Sequence, residues 1–410
     1  MSYLKLEKRY HPVSMVYDNI LSQRQSLMRT KFFTLSWVLG CVLLFLYSYT
    51  QVDLSLTLSR ASFLQTIQKS FQYVGWFNRP LSTFLYIILF LFLFLIYFWT
   101  LRLVQKNKIG HKQLWTVILI VTGIVVLSYN AFSYDLFNYI FDAKIVTFYN
   151  QNPYIHKALD FPGDPMLSFM RWTHRVYPYG PLWLALTVPV SFVGSQIFII
   201  TFFLFKFLMG GFFLLTVWSI GKIATKLKLS NVLLPIAAFA LNPFVLAESL
   251  VSAHNDIVMM GLGMFGVYFL LKRDYIKGGV LLIFSAGVKF VTLVSAILYI
   301  ILSLFKKQSY FIAGSIVLMI IGVILASYRT NFQPWYLLYV FPFAALMIEK
   351  KFIRGPLFIF SIGNILYYIP YLYTGNWDAP IPAILNSLVM GAVVLSILVS
   401  LFYYVLKGKT

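Results

Sequence analysis

Apolar runs of about 20 residues, the length a helix needs to cross a hydrocarbon core of roughly 30 Å, recur along this chain from Phe33 to Leu406. Only 11% of the residues are charged and 60% are hydrophobic. A soluble domain carries roughly 25% charged residues, so this composition does not suit a water-facing surface. The fold class that follows is an all-α polytopic membrane protein. Candidate crossings fall at 33–49, 81–101, 113–133, 181–220, 231–248, 257–271, 278–288, 291–304, 310–327, 336–348, 355–372 and 382–406. The run 181–220 is too long for one crossing, and Pro189 and Gly194 divide it into a short or re-entrant helix at 182–194 and a crossing helix at 197–220. The expectation is a bundle of about 12 transmembrane helices, within 11–13, with amphipathic juxtamembrane helices in the outer loops.

Charge sets the topology. Lys and Arg number 33 against 12 Asp and Glu, a net +21. In a soluble protein that excess would point to nucleic acid. In a membrane chain basic residues gather in cytoplasmic segments, and no nucleic-acid partner is expected. With the N-terminus inside, 23 of the 33 bases lie on inner segments. Outside lie nine (Arg60, Lys69, Arg79, Lys144, Lys157, Arg171, Arg175, Lys289 and Arg329), and Lys206 is mid-helix. The acids run the other way, with Asp53, Asp135, Asp142, Asp160, Asp164, Glu248, Asp256 and Asp378 outside, so the inner face carries +19 and the outer +1. This arrangement predicts a single integral-membrane domain over 33–406, with cytoplasmic segments 1–32 and 407–410. The polar stretch ahead of Phe33 argues against a signal peptide. The single Cys41 reads as a small buried apolar residue, and no Cys or His spacing suits zinc.

The outer loop 134–180 combines Pro153, Pro162, Pro165 and Pro178 with many aromatics, a pattern of helices lying along the membrane surface rather than of a disordered linker. The loop 50–80 has the same character around Leu64, Ile67, Phe71 and Trp76. No P-loop, dinucleotide-binding glycine fingerprint or nucleophile elbow occurs, which argues against ATP-driven transport and most cofactor chemistry.

The scarce acids mark the candidate chemistry. Asp135, in SYDLFNYIFDAK, stands at the outer end of the third run, and Asp142 follows seven residues later on the same helical face. A carboxylate at a membrane boundary is costly and points to function, and it can accept the proton of an incoming hydroxyl. The plainer alternative is a helix cap or an ion pair with Lys144. In NPFVLAESLVSAHNDIVMM, Glu248, His254, Asn255 and Asp256 gather between apolar helices. They suit substrate binding. Capping by Asn255 and Asp256 with a neutral His254 is the alternative, and a divalent metal on His254 and Asp256 stays open. Lys289 and Arg329 are outer cations suited to a phosphate, or else snorkelling bases. Trp335 and Tyr336 are belt aromatics or a stacking surface for a sugar or isoprenoid.

The order of these motifs resembles that of the GT-C membrane glycosyltransferases: an Asp after an early span, NPY at Asn152–Tyr154, YPYGPLW from Tyr177 to Trp183, then NPFVL and SAHND from Asn242 to Asp256. Within them the chain is most similar to bacterial polyprenyl-phosphate-mannose-dependent α-mannosyltransferases, over the region from Tyr134 to Tyr336. The resemblance implies a GT-C-like bundle in a bacterial cell membrane, with Asp135 as general base and its active site outward. It implies a polyprenyl-phosphate-linked sugar donor, a lipid-linked or glycan acceptor, and no cofactor. Mannose is the expected sugar, with glucose or galactose as alternatives. Tyr179, in YPYGPLW, joins Asp142, Glu248, His254, Asn255, Asp256, Lys289, Arg329, Trp335 and Tyr336 as expected substrate-binding residues. Two departures stand out: two spans precede the one leading to Asp135, where many relatives have one, and no soluble domain is expected after the last span. The rival reading is a secondary transporter or lipid flippase, which would place carboxylates at the bilayer midplane between repeats. No repeat is visible, and the polar residues concentrate at one boundary. A third reading, a non-catalytic scaffold subunit, would put Asp135 against lipid or in a packed interface.

Overall fold

Helical hydrogen bonding satisfies the backbone inside each apolar run, and the computed structural model, which describes residues 12–407, is built of helices. In chain order they are α1 (Pro12–Thr50), α2 (Ser62–Gln72), α3 (Arg79–Gln105), α4 (His111–Val125), α5 (Asp135–Thr147), α6 (Pro181–Val193), α7 (Phe198–Lys226), α8 (Leu233–Ala240), α9 (Pro243–Leu246), α10 (Asp256–Leu271), α11 (Tyr275–Ala286), α12 (Leu293–Leu304), α13 (Phe311–Thr330), α14 (Phe341–Leu346), α15 (Lys351–Leu366), α16 (Ile369–Thr374) and α17 (Ile381–Lys407). Among the described residues there is no strand, only an antiparallel bridge between Lys157 and Val176.

Helix starts follow local chemistry. The Asn78 side chain accepts from the Leu81 N–H at 3.3 Å ahead of α3, with Pro80 in the first turn. Asn242 accepts from the Phe244 N–H at 3.0 Å ahead of α9, again with Pro at the start. An Asn cap and an early Pro suit the positions where backbone donors are otherwise unpaired.

Six helices among the described residues are long and apolar enough to cross a membrane, and a seventh span results if the bent pair Leu233–Ala240 and Pro243–Val251 counts as one. The chain is thus a membrane protein, but the expected dozen full-length crossings are not reached by this measure. Five further apolar helices run only 10–17 residues, short of the ~20 a perpendicular crossing needs. The expected crossing at 336–348 breaks up into a 3₁₀ turn at 334–339 and the six-residue α14. Pro342 and the length of that stretch leave no continuous span. The division of 181–220 falls where Gly194 ends α6 and Ile197 precedes α7.

The centre of the bundle is α8, α9, a π-helical turn at 247–251 and α10, buried without a break from Leu234 to Met264. Close approach around it needs small residues: a Cβ on Gly278 of α11 would lie 2.6 Å from Leu270 Cδ2 of α10. Among the outer loops, α2 does show an exposed apolar stripe of Phe63, Leu64 and Ile67, as an interfacial helix should. Helix α5 is not a solvent-exposed amphipathic helix but is packed within the protein. Leu136, Phe137, Tyr139, Ile140 and Phe141 are buried, because α6 packs directly against it. The rest of the 134–180 loop is irregular and held by aromatic packing, with Tyr149 stacked on Phe161 at 3.9 Å.

Candidate active site

Three segments converge on one buried layer. The first is the start of α5. Helix α4 stops at Val125, and the chain descends irregularly to Asp135, whose N–H donates to Ser133 Oγ at 3.1 Å. The second is the turn at the end of the central half-span. The half-span bends by 53° at Asn242–Pro243, and Asn242 Nδ2 donates to Ser361 Oγ at 2.8 Å there. A π-turn, a form common at functional sites, follows at 247–251. The His254 N–H then returns to the Glu248 carbonyl at 3.1 Å, with Ala253 at φ 58 in the left-handed region. That conformation is strained for a residue with a side chain. The third segment is the loop after α11, which carries Lys289. It is docked on the YPYGPLW motif: the Gly180 and Leu182 N–H groups donate to the carbonyls of Val288 and Gly287 at 3.2 and 2.9 Å. Gly180 permits this approach, since a Cβ there would lie 2.2 Å from the Gly287 carbonyl oxygen.

The turn sets the His254 imidazole between two carboxylates. Nδ1 is 3.5 Å from Asp135 Oδ2 and Nε2 is 3.3 Å from Glu248 Oε2. The ring stacks on Trp335, centroids 4.0 Å apart and planes at 19°. The Tyr368 hydroxyl donates to Glu248 Oε1 at 2.7 Å. Beside this row, Lys289 Nζ donates to both oxygens of the fully buried Asp256 at 2.8 Å and lies 5.6 Å from the centroid of the Tyr179 ring. The Asn255 N–H reaches the Tyr139 hydroxyl at 3.5 Å. His254 and Asp256, candidates for a metal two positions apart in the sequence, thus turn to different partners.

A cavity of about 810 Å³ opens in front of this layer, bordered among others by Asp135, Arg171, Trp172, Trp335, Tyr368 and Trp377. Asp135 is the one carboxylate and Arg171 the one cation among its lining residues. The Arg171 guanidinium sits 4.8 Å over the Tyr134 ring and 3.8 Å from Asp53 Oδ2. Asp53, buried, also accepts from the Tyr134 hydroxyl at 3.0 Å. A second, almost wholly apolar groove of about 690 Å³ runs between α13, α14, α15 and α17. The two meet twice. Asn331 and Gln333 border the first and Phe332 the second, and on α17 Leu385 and Asn386 of the first lead into Val389, Val393, Ile397 and Leu401 of the second.

Burial raises the Asp135 carboxyl, but His254 facing it, with Lys289 and Arg175 nearby, outweighs burial and holds it below the ordinary carboxylate range. Burial also works against the His254 cation, yet Asp135 and Glu248 on its two sides push its pKa from 6.5 to about 9. For Asp142 burial wins: its carboxyl rises to about 8, with Arg175 opposing and Asp135 adding. The two aspartates of one helix face are thus driven apart, one ionised and one protonated at neutral pH, a separation typical of sites that divide acid and base roles.

Of the residues singled out in the sequence, Asp135 and Trp335 border the cavity. Glu248, His254, Asn255 and Asp256 are fully buried, and with Lys289 and Tyr179 they form the layer behind it. Arg329 is exposed, the Tyr336 hydroxyl is 2.6 Å from Thr330 Oγ1, and neither borders the cavity. Lys144 pairs with Asp164, not with Asp135 or Asp142. Arg171, Tyr368 and Trp377 carry no motif or spacing that distinguishes them in the sequence. Their only signal is the aromatic density of the outer segments.

No curated protein and no solved structure matches the chain. A family model does: the MptA_B family, described as alpha-(1->6)-mannopyranosyltransferase, N-terminal domain, matches residues 35–305. The match spans Asp135, the Glu248–Asp256 turn and Lys289, and ends before Trp335, Tyr368 and Trp377. Covering about two thirds of the 410 residues, it shows that the chain belongs to the MptA_B family of α-(1→6)-mannopyranosyltransferases.

Proposed function

We propose that this membrane mannosyltransferase moves a mannosyl residue from a polyprenyl-phosphate donor to a glycan or lipid-linked acceptor on the extracytoplasmic side, with Asp135 as general base. The observation that carries the reading is Asp135 standing as the one carboxylate bordering the polar cavity, held ionised by His254 behind it. The acceptor hydroxyl oxygen bonds to the anomeric carbon as the bond from that carbon to the donor phosphate oxygen breaks. The hydroxyl proton goes to Asp135, and the lipid phosphate departs as an anion. Such a leaving group needs no strong general acid. One displacement inverts the anomeric carbon, turning a β-linked donor into the α linkage in the family's name.

We assign the phosphate to Arg171 rather than to Lys289 or Arg329, since Arg171 borders the cavity with only a long 3.8 Å contact to Asp53, whereas Lys289 is committed to Asp256 and Arg329 lies outside the cavity. The apolar groove supports a lipid donor: its lining stripe on α17 continues that of the cavity from Leu385 to Leu401, about 24 Å at 1.5 Å per residue. Charge bias supports the orientation, with termini cytoplasmic and the site outward. The fold-level counterpart is a GT-C-like bundle of about 12 crossings, in which α4, α10, α11, α12 and the broken stretch 334–346 add to the longer helices and α6 is re-entrant. The gathering of Asp135, Glu248 and Asp256 in one layer behind a single cavity speaks against the transporter reading.

The deciding experiment gives purified protein radiolabelled polyprenyl-phosphate mannose or GDP-mannose with an α-mannoside acceptor. Transfer from the lipid donor alone is expected. Transfer from the nucleotide sugar, or from neither, overturns the proposal. Arg171→Met is expected to raise KM for the lipid donor roughly 10- to 100-fold, the loss of a charge-assisted contact of about 1.5–3 kcal/mol, with a smaller change in kcat. An unchanged KM would remove Arg171 from the phosphate site.

The pH dependence has a definite sign. Asp135, depressed below the usual carboxylate range, is ionised across neutral pH. The pKa of His254 is raised, so its charge is complete below the ordinary 6.5 and lost as pH rises through about 9. Rate against pH should therefore be flat through neutrality and fall above about 9. A fall centred near 6.5 would contradict a cationic His254.

A further inference from the structure

Lys206 lies in the interior of α7, fully buried, and borders neither cavity. Among the described residues it has no carboxylate within ion-pair distance. Its Nζ instead donates to the carbonyls of Leu250 and Val251, the latter at 2.7 Å. These are the last two carbonyls of the π-turn. A helix end leaves its final carbonyls without partners, and in a membrane-buried bundle no bulk water is at hand to satisfy them. The end of a helix is also its negative pole, where an amine is favoured. Three residues beyond Val251 comes His254, whose two ring nitrogens must stay in register with carboxylates from two different segments, at 3.5 and 3.3 Å. The same helix α7 packs against α10 on the far side of the turn, so α7 holds the turn at both ends.

We propose that Lys206 is a positioning residue of the transfer reaction: capping Leu250 and Val251, it fixes the turn that presents His254 to Asp135 and Glu248. The inference rests on the reading of Asp135 as base. Lys206 touches no substrate and acts through His254 alone.

The test uses the full-length protein and steady-state transfer from polyprenyl-phosphate mannose. Lys206→Met keeps the apolar stem and removes the donors, while Lys206→Gln keeps two shorter N–H donors. Lys206→Met is expected to lower kcat roughly 10- to 100-fold, the scale of a misplaced catalytic group, with KM for the donor unchanged. Lys206→Gln should recover part of the loss. Combined with His254→Ala, Lys206→Met should lower kcat no further than His254→Ala alone, because residues acting as one unit are non-additive. Multiplicative losses, a rise in donor KM without loss of kcat, or failure of both variants to fold would each overturn the inference. If Lys206→Met is fully active while Asp135→Asn and His254→Ala are not, only the role of Lys206 falls. If Asp135→Asn retains full activity, the functional reading itself falls.

Discussion

Asp135→Asn is expected to reduce kcat for transfer from polyprenyl-phosphate mannose by roughly 10²- to 10⁴-fold, the usual contribution of a general base, while donor KM changes little. Asn keeps the shape of the side chain and removes the proton acceptor. Fold should survive, because the replaced carboxylate borders the cavity at 14% exposure instead of sitting in the sealed layer behind it. The sharper form of the prediction is a comparison. Asp142 lies seven residues on along the same helix, but burial raises its carboxyl to about 8, so at neutral pH it already holds a proton and cannot serve as the base. Asp142→Asn should therefore cost only a few-fold at most, as the amide replaces a group that is already neutral. Equal losses in the two variants, measured as initial rates with saturating radiolabelled donor, would show that the electrostatic division between them is wrong.

The second large effect concerns stability. Lys289→Met should destabilise the protein by roughly 3–5 kcal/mol, the usual cost of breaking a buried pair from one side. Asp256 is fully buried, and both its oxygens accept from Lys289. Without that partner, a carboxylate in the bundle interior must stay charged without compensation or take up a proton. Lys289→Met with Asp256→Asn should recover much of the loss, since removing both charges leaves no unpaired ion. Unfolding in detergent, followed for the two single variants and the double, makes the comparison. If Lys289→Met were as stable as the unaltered protein and instead raised donor KM, the phosphate role expected of Lys289 from the sequence would stand and the assignment to Arg171 would not.

Much of the helix layout is legible in the chain because apolar runs must pair their own backbone in lipid, and their breaks carry local signals such as Gly194 and the Asn242–Pro243 pair. Where it was not legible, hydropathy ran out. The stretch around Pro342 has the composition of a crossing but not the length, and the packing of α6 against α5, which buries most of that helix, has no signal in the sequence. The candidate site divides in the same way. Asp135 and the His254–Asp256 turn stood out because acids are so few. Lys289 stood out as a cation between apolar runs, but its partner, 33 positions away, lies in another helix.

The sequence by itself determined that this chain belongs in a bilayer, and it singled out the bias of its bases and its few acids as the candidates for topology and chemistry, since each follows from local composition and the cost of charge in lipid. Only the tertiary structure decided which of those polar groups meet. His254 between Asp135 and Glu248, Trp335 stacked on it, Arg171 bordering the same cavity and Lys206 capping the turn come from segments far apart in the chain. Their distances depend on how α5, α7 and the bent half-span pack, and no local pattern of residues encodes that packing.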